Sequence, residues 1–361
     1  MTIAYLIDYD INSNSGVLTK IFQQSQQWIL KGYTVYYVST KTLAIYDSNK
    51  NLMKQLKPLN INMKRVGTAL KLLYSSYHLD RLLKNIDFDI LYMRYMLFMP
   101  FLSKVLKKHK VIMEINADDT IEFKLHSKIT HYYNKMTRNL VLKKVDAFVS
   151  VSHELKLRFA YLNKPIIVIA NGINAHKIDF VENKNKKPIL VFISTPNQPW
   201  QGFEKIVKMA DKLDDFLFYI IGLEGKSEKN IKYFGYLSNE ESSKIIQKCD
   251  IGIGTLSSYK NGLDEASPLK TRQYLACGLP IIYAYEDTDI PKNSEFVLQF
   301  KNKENNINLK EVELFVQNVF NNHAIRKKAK EFANTVLDSS VKEMQRIDYF
   351  KKIINEKPTT L

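Results

Sequence analysis

The chain has 361 residues, long for one hydrophobic core, and its 45% hydrophobic and 25% charged content excludes a disordered or fibrous chain. Its net charge is +16, carried mostly by residues 1–170, where 25 Lys and Arg stand against 12 Asp and Glu; residues 171–361 hold 28 against 25. Two widely separated cysteines, Cys249 and Cys277, exclude a disulfide scaffold or a cysteine metal cluster, and no apolar run reaches the roughly 18 residues of a membrane span.

Ile3–Ile7 is a short apolar strand, followed by a polar loop (Asp8 to Ser15), Gly16, and a helix with Val17, Ile21, Trp28 and Ile29 near one face. Tyr33–Ser39, rich in β-branched and aromatic residues, is the next strand. This βαβ unit predicts a parallel sheet. Apolar strands recur at 90–93, 111–115, 147–151 and 166–169, and Asn171-Gly172 marks a turn. A polar run at 182–187 reads as a linker. A second series then has strands at 189–193, 216–221, 231–234, 251–254 and 281–284, with helices at about 202–212 and 271–277. Residues 310–356 are helical and charged, with no strand after them.

The expectation is therefore an α/β protein of two Rossmann-like, doubly wound domains facing across a cleft. The first domain spans 1–172, a linker 173–187, the second domain 188–339, and a final helix at 340–361 returns to the first domain. Ligands of such sheets sit beyond the carboxyl ends of the strands, and a cleft between domains is the default site.

Residues 265–282, EASPLKTRQYLACGLPII, place a short polar loop directly before a buried helix. Ser267 and Pro268 sit where the helix starts, where proline's missing N–H costs nothing. The free amides of Leu269 and Lys270, the helix dipole and the Lys270 charge together suit a phosphate. Glu265 suits a ligand that carries hydroxyls beside its phosphates. An ordinary cap with a surface Glu and Lys fits the spacing equally well.

This stretch resembles the donor-site motif of the retaining family-4 glycosyltransferases of the GT-B fold: a Glu, seven residues, then a Glu, ahead of a helix and Gly-Leu-Pro. Glu265 to Arg272 follow the pattern, and Gln273 stands at the second acidic position, where it can still hydrogen-bond ribose hydroxyls. Ser15-Gly16-Val17 looks like the family's first glycine loop, which lets donor phosphates or sugar approach the backbone. Residues 193–202, with Asn197, Trp200 and Gly202, look like the loop opening the second domain. Gly235-Tyr236-Leu237 looks like the loop that reads the nucleobase. The family often carries an Arg and a Lys in the opening loop; here Thr195 and Gln201 stand there, which leaves the diphosphate to Lys270 and backbone amides.

The resemblance implies a metal-independent enzyme with no cofactor beyond its donor. It would move a hexose from a nucleoside-diphosphate sugar, UDP favoured over GDP, to an acceptor hydroxyl with retention of configuration. The implied acceptor is a glycan or lipid-linked glycan in bacterial surface-polysaccharide synthesis. Glu265 and Lys270 are the expected catalytic groups. The donor would be bound by Gly16, Val17, Asn197, Trp200, Gly202, Tyr236, Leu237, Ser267, Pro268, Leu269, Lys270, Thr271 and Gln273.

On the acceptor side, Glu114, Asn116, Asp118 and Asp119 follow a strand. The two aspartates are candidates for orienting acceptor hydroxyls or stabilising a cationic transition state; helix capping by Asp118 or Asp119 is the plainer reading. Asp87-Phe88-Asp89 and Asp287-Thr288-Asp289 carry too few ligands for a metal site, and His126 and His131 read as surface residues. The basic stretches from Lys64-Arg65 through Ala69–Tyr74 to Lys84, and from Lys104 to Lys110, suit a helix lying on an anionic membrane. The expected location is cytoplasmic, peripheral at most on the inner face of the cell membrane, with no nucleic-acid partner. Two rivals remain: a nucleotide-sugar 2-epimerase, and a non-catalytic partner subunit that has lost donor binding.

Overall fold

The computed structural model describes residues 1–13, 15–59 and 66–356; Lys64-Arg65 of the basic stretch, and the side chains of Ala69 and His126, lie outside this description. The chain divides into two compact units, one of residues 1–169 with 343–361, the other of residues 170–342.

The first unit is built on an eight-stranded sheet. Its strands are β1 (Thr2–Ile7), β2 (Thr34–Ser39), β3 (Ala44–Tyr46), β4 (Leu52–Gln55), β5 (Ile90–Arg94), β6 (Val111–Ile115), β7 (Ala147–Ser150) and β8 (Ile166–Val168), in the order β4-β3-β2-β1-β5-β6-β7-β8. All neighbours are parallel except β2–β3 and β3–β4. The antiparallel edge escapes sequence reading because β4 is exposed at every residue and carries no apolar alternation. The helices are α1 (Gly16–Leu30), α2 (Val66–Leu83), α3 (Leu102–Leu106), α4 (Asp119–His126), α5 (Lys128–Leu142) and α6 (His153–Phe159).

The central parallel strands β1, β5, β6 and β7 read as near-continuous apolar runs, as strands covered on both faces do. At the centre Trp28 of α1 stacks on Tyr5 and meets Tyr92 edge-on. Each aromatic keeps a polar partner: Tyr5 donates to Gln24, and Trp28 Nε1 donates to Glu343 at 2.9 Å. Buried Tyr and Trp need such partners.

The second unit has a six-stranded parallel sheet of β9 (Ile189–Ile193), β10 (Leu217–Ile221), β11 (Ile231–Tyr233), β12 (Ile251–Ile253), β14 (Ile281–Tyr283) and β16 (Val297–Gln299), in the order β11-β10-β9-β12-β14-β16. Between them β13 (Glu265–Ala266) and β15 (Glu286–Asp287) form a separate two-stranded parallel ribbon. The helices are α7 (Phe203–Ala210), α8 (Asn239–Ile246), α9 (Leu269–Ala276), α10 (Leu309–Val319) and α11 (His323–Phe332). Two glycines are required by close approach: a Cβ on Gly252 would lie 2.3 Å from the Tyr274 ring, and one on Gly222 would lie 2.1 Å from the Ser194 carbonyl oxygen.

The last helix, α12 (Ser339–Asn355), starts in the second unit and runs on through the first. In the first unit Phe350 lies against Trp28 and Tyr92, and Arg346 donates to Tyr92 and pairs with Glu114 and Glu343. In the second unit Lys342 pairs with Asp289 at 2.6 Å.

Candidate functional site

In the second unit the loops that follow β9, β11 and β12 carry the residues singled out from sequence. The chain leaves β9, turns through Asn197 (φ +61°) and a short 3-10 turn at Pro199–Gln201, and enters α7 through Gly202 (φ +80°). A Cβ on Gly202 would meet the Leu256 side chain and Ser257 Oγ at 2.9 Å. The glycine therefore lets this loop lie flat on the end of β12. Trp200 and Gln201 hold that position by accepting, through their carbonyls, from the amides of Ser257 and Leu256.

The loop ahead of α9 is fixed differently. Asn171 donates from Nδ2 to the Ser267 carbonyl at 2.7 Å, and its own amide donates to Ser267 Oγ. Pro268 occupies the N-cap with extended backbone and offers no side-chain oxygen to the first turn. The α9 N-terminus thus starts without a side-chain cap, which leaves the amides of its first turn without a side-chain partner. Thr271 donates back to the Pro268 carbonyl, and Leu269 is exposed.

Behind this turn sits a residue the sequence reading left unassigned. Arg272 is fully buried and forks onto both oxygens of Asp287, with Asp289 at 3.4 Å and the Asn171 carbonyl at 3.2 Å. Burial opposes the guanidinium charge, and Asp287 with Asp289 more than restores it, so its pKa is raised. Asp287 and Asp289 are thereby spent on cations. The bidentate pair ties α9 to the strand β15, which in turn pairs with β13 and so sets Glu265. The signal that could have found it is the arginine itself, seven residues after Glu265 in a helix that otherwise ends in the buried run Tyr274-Leu275-Ala276.

Lys270 is the charged group of the first turn. Its Nζ lies 2.6 Å from Gln201 Oε1 and 4.4 Å from the centre of the Phe192 ring. The side chain keeps part of its surface in contact with solvent, but the ammonium is enclosed, and burial pushes its pKa down to about 7. Gln201 is itself buried and also donates to the Gln198 side chain. Gln273, one turn further along α9, donates to Ser243 of α8 at 3.2 Å. Tyr236 and Leu237 lie between β11 and α8, with the tyrosine 83% exposed and Leu237 packed on the core. The structure therefore brings Lys270 against the 197–202 loop and ties Gln273 to the helix that follows Tyr236-Leu237. A hollow of about 530 Å³ in this unit lies elsewhere, beside Glu204, Lys205 and Tyr259. Its central lysine, Lys205, is already held by two carbonyls and Asn306.

In the first unit a cavity of about 360 Å³ at the ends of β1, β5 and β6 gathers Val17, Glu114, Asn116 and Asp119. Gly16 stands at the start of α1, where a Cβ would meet no atom within 4 Å. Glu114 is buried and accepts from Lys20, Gln24 and Tyr92, with Arg346 at 3.3 Å. Burial would raise its carboxyl, but Lys20, Arg346 and Arg94 outweigh that and hold it well below the usual carboxylate range. The Lys20 ammonium is pushed down to about 8, mainly by burial.

Asp118 caps α4 through Thr120 and pairs with Arg158 at 2.8 Å. Asp119 is buried, forked by Arg138 and bonded by Asn134. The capping reading thus describes Asp118, and both aspartates have arginine partners. Asn116 is different: Oδ1 accepts from Lys20, while Nδ2 is buried without a hydrogen-bond partner. Arg94 also lines the cavity. Among the described residues no group of three or more His, Cys, Asp or Glu side chains is arranged to hold a metal ion.

No family model matches the chain. It is 27% identical over 317 residues to an uncharacterized glycosyltransferase of Methanocaldococcus jannaschii, covering 76% of this chain and 77% of that one. A glycosyltransferase from Rickettsia africae superposes with a TM-score of 0.71 at 15% identity, over 99% of both chains. Anabaena HepE, solved in complex with UDP-glucose, gives 0.64 at 12%, over 98% of this chain and 100% of that one. The catalytic domain of starch synthase IV from Arabidopsis thaliana, bound to ADP and acarbose, gives 0.68 at 10%, over 98% and 99%. The chain has the GT-B fold. With the archaeal relative, these likenesses support an enzyme of the glycosyltransferase class.

Proposed function

We propose that this GT-B chain is a retaining glycosyltransferase that takes a nucleoside-diphosphate sugar at the N-terminus of α9, with UDP as the favoured nucleotide. The observation that carries the reading is Lys270, an enclosed lysine in the first turn of a helix with no side-chain cap, whose neutral tendency an arriving diphosphate would reverse. A diphosphate leaving group gains charge as the sugar bond breaks, and preorganised amides plus an ammonium stabilise that charge best where water is scarce. In this reading Lys270 and the amides of Leu269 and Thr271 meet the phosphates, Glu265 holds sugar hydroxyls, Gln273 meets the ribose, and Tyr236-Leu237 meets the base. Val17 lines the first-unit cavity, and Gly16 precedes it at the start of α1. HepE with UDP-glucose, on the same fold, supports UDP.

The acceptor hydroxyl attacks from the face the nucleotide leaves, and a departing phosphate oxygen takes its proton, so no protein nucleophile or metal ion is invoked. The acceptor is a lipid-linked glycan of bacterial surface-polysaccharide synthesis, met on the cytoplasmic side of the membrane, and Asn116 offers it an unpartnered buried donor at the first-unit cavity. Asp119, held by Arg138, lines that cavity, Asp118 is held by Arg158, and both leave the proton chemistry to the phosphate. The test is thermal stability with UDP, GDP and ADP for wild type and Lys270→Ala. Ligand at 100 times its Kd should stabilise by about 2.7 kcal/mol. A shift with one nucleotide, lost in the variant, supports the donor site; no shift with any of them sinks it in favour of a partner subunit.

A further inference from the structure

The basic helical segments of the first unit include α5, which carries His131. Residues 128–142, KITHYYNKMTRNLVL, contain no acidic residue. Asn134, Val141 and Leu142 of this helix, α5, are buried, so it is anchored along one side. The opposite side exposes Ile129 (65%), Tyr132 (64%), Met136 (83%) and Leu140 (49%). That spacing of three or four residues is one continuous apolar stripe. Lysines 124, 128, 135 and 143 flank it, all exposed, and none makes an ion pair among the described residues.

The neighbouring helices extend the pattern. Ser103 of α3 donates to the Leu140 carbonyl of α5 at 2.8 Å, and Tyr133 of α5 donates to the Phe98 carbonyl just ahead of α3. On α2, Leu73 and Tyr77 are exposed one turn apart, and the Tyr77 ring touches Phe101. Lys104 and Lys107 of the α3 segment are exposed beside them. Exposed apolar side chains flanked by lysines without ion pairs have the composition of interfacial membrane helices.

We infer that α5, extended by α2 and α3, is the face on which this protein docks to an anionic lipid bilayer, with Ile129, Tyr132, Met136 and Leu140 entering the headgroup boundary. A monomer rarely leaves a contiguous apolar patch in water without a partner. The unpaired lysines choose among partners: a second copy of this face would bring like charges together, whereas acidic headgroups neutralise them. The inference deepens the lipid-linked acceptor reading and supplies its approach to the membrane, but it can fail separately from it.

The test is vesicle co-sedimentation of the full chain with phosphatidylglycerol–phosphatidylcholine vesicles and with phosphatidylcholine alone, for wild type, Ile129→Asp/Met136→Asp and Lys128→Gln/Lys135→Gln. Wild type should bind the anionic vesicles and lose most of that binding at high salt. The two lysine changes should weaken it about 25-fold, at roughly fivefold per surface lysine, and the aspartate pair should abolish it. Thermal melts with and without UDP check that both variants fold and keep the donor site. Equal binding by all three proteins, no binding by wild type, or a dimer that the aspartate pair dissociates would each overturn the inference. Vesicle binding that persists without any nucleotide shift would instead count against the donor reading alone.

Discussion

Gln201 Oε1 and Lys270 Nζ lie 2.6 Å apart, so a glutamine holds the ammonium of the first turn of α9. The opening loop carries glutamine where a second cation is usual, yet the glutamine aims the cation that remains. Lys270→Met should therefore act in opposite directions on the two forms of the protein. Without ligand it removes a charge enclosed without a carboxylate, so the melting temperature should rise. With UDP the stabilisation should disappear. Gln201→Ala should keep some nucleotide binding but weaken it by about 1.5 kcal/mol, the low end for a hydrogen bond to a charged group. Calorimetric titration and melts of the same preparations measure both.

The same lysine sets a pH dependence. Its folded pKa is lowered to about 7 against an ordinary value near 10.5. Between those values the unfolded chain binds a proton that the empty folded protein does not, so the Lys270 contribution to stability rises with pH across that window. Nucleotide binding runs the other way, because the diphosphate needs the ammonium. UDP affinity should fall as pH rises above about 7, by up to tenfold per pH unit, with one proton taken up on binding. Titrations in buffers of different ionisation enthalpy count that proton, and Lys270→Met should take up none.

Two glycines that look alike in sequence should respond differently. A Cβ on Gly16 meets nothing within 4 Å, whereas Gly202 has a positive φ and no room beside Leu256 and Ser257. Gly16→Ala should leave the melting temperature within a degree or so while lowering kcat/KM, if the donor approaches that backbone. Gly202→Ala should cost at least about 1 kcal/mol from backbone strain alone. Chemical denaturation and initial rates separate the two effects.

This contrast shows what the sequence could and could not convey. Apolar runs such as Ile189–Ile193 and Val111–Ile115 announce buried parallel strands because helices cover both their faces. The exposed edge strand β4 and the two-residue ribbon β13–β15 carry no such run, so only backbone pairing reveals them. The loop before α9 was legible as a helix start, since Ser267-Pro268 is a local signal. Its brace was not: Arg272 finds Asp287 fifteen residues on and Lys342 reaches Asp289 across 53, distances over which a linear pattern holds no record of pairing. In the same way, three of the four acidic or amide residues at 114–119 look like a free acidic cluster in sequence, and arginines remote in the chain occupy their carboxylates.

Glu114 and Glu265 make that last point testable, because one sits inside a charge network and the other beside the proposed donor. Glu114 is fully buried among Lys20, Gln24, Tyr92 and Arg346, and removing one member of such a network leaves the others uncompensated. Glu114→Gln should cost about 3–5 kcal/mol, read as a lower urea midpoint with an unchanged slope. Its carboxyl is held below the usual range in the folded state, so its stabilisation is full above about pH 4.5 and is lost as pH falls through the depressed folded value. The wild type should therefore outlast the variant most clearly at neutral pH, with the gap closing in acid. Glu265→Gln should leave the urea midpoint nearly unchanged and lower kcat at least about a hundredfold, the scale of a lost transition-state contact. A Glu265 variant that melts early with normal turnover would reassign that residue to the β13–β15 ribbon as a structural group.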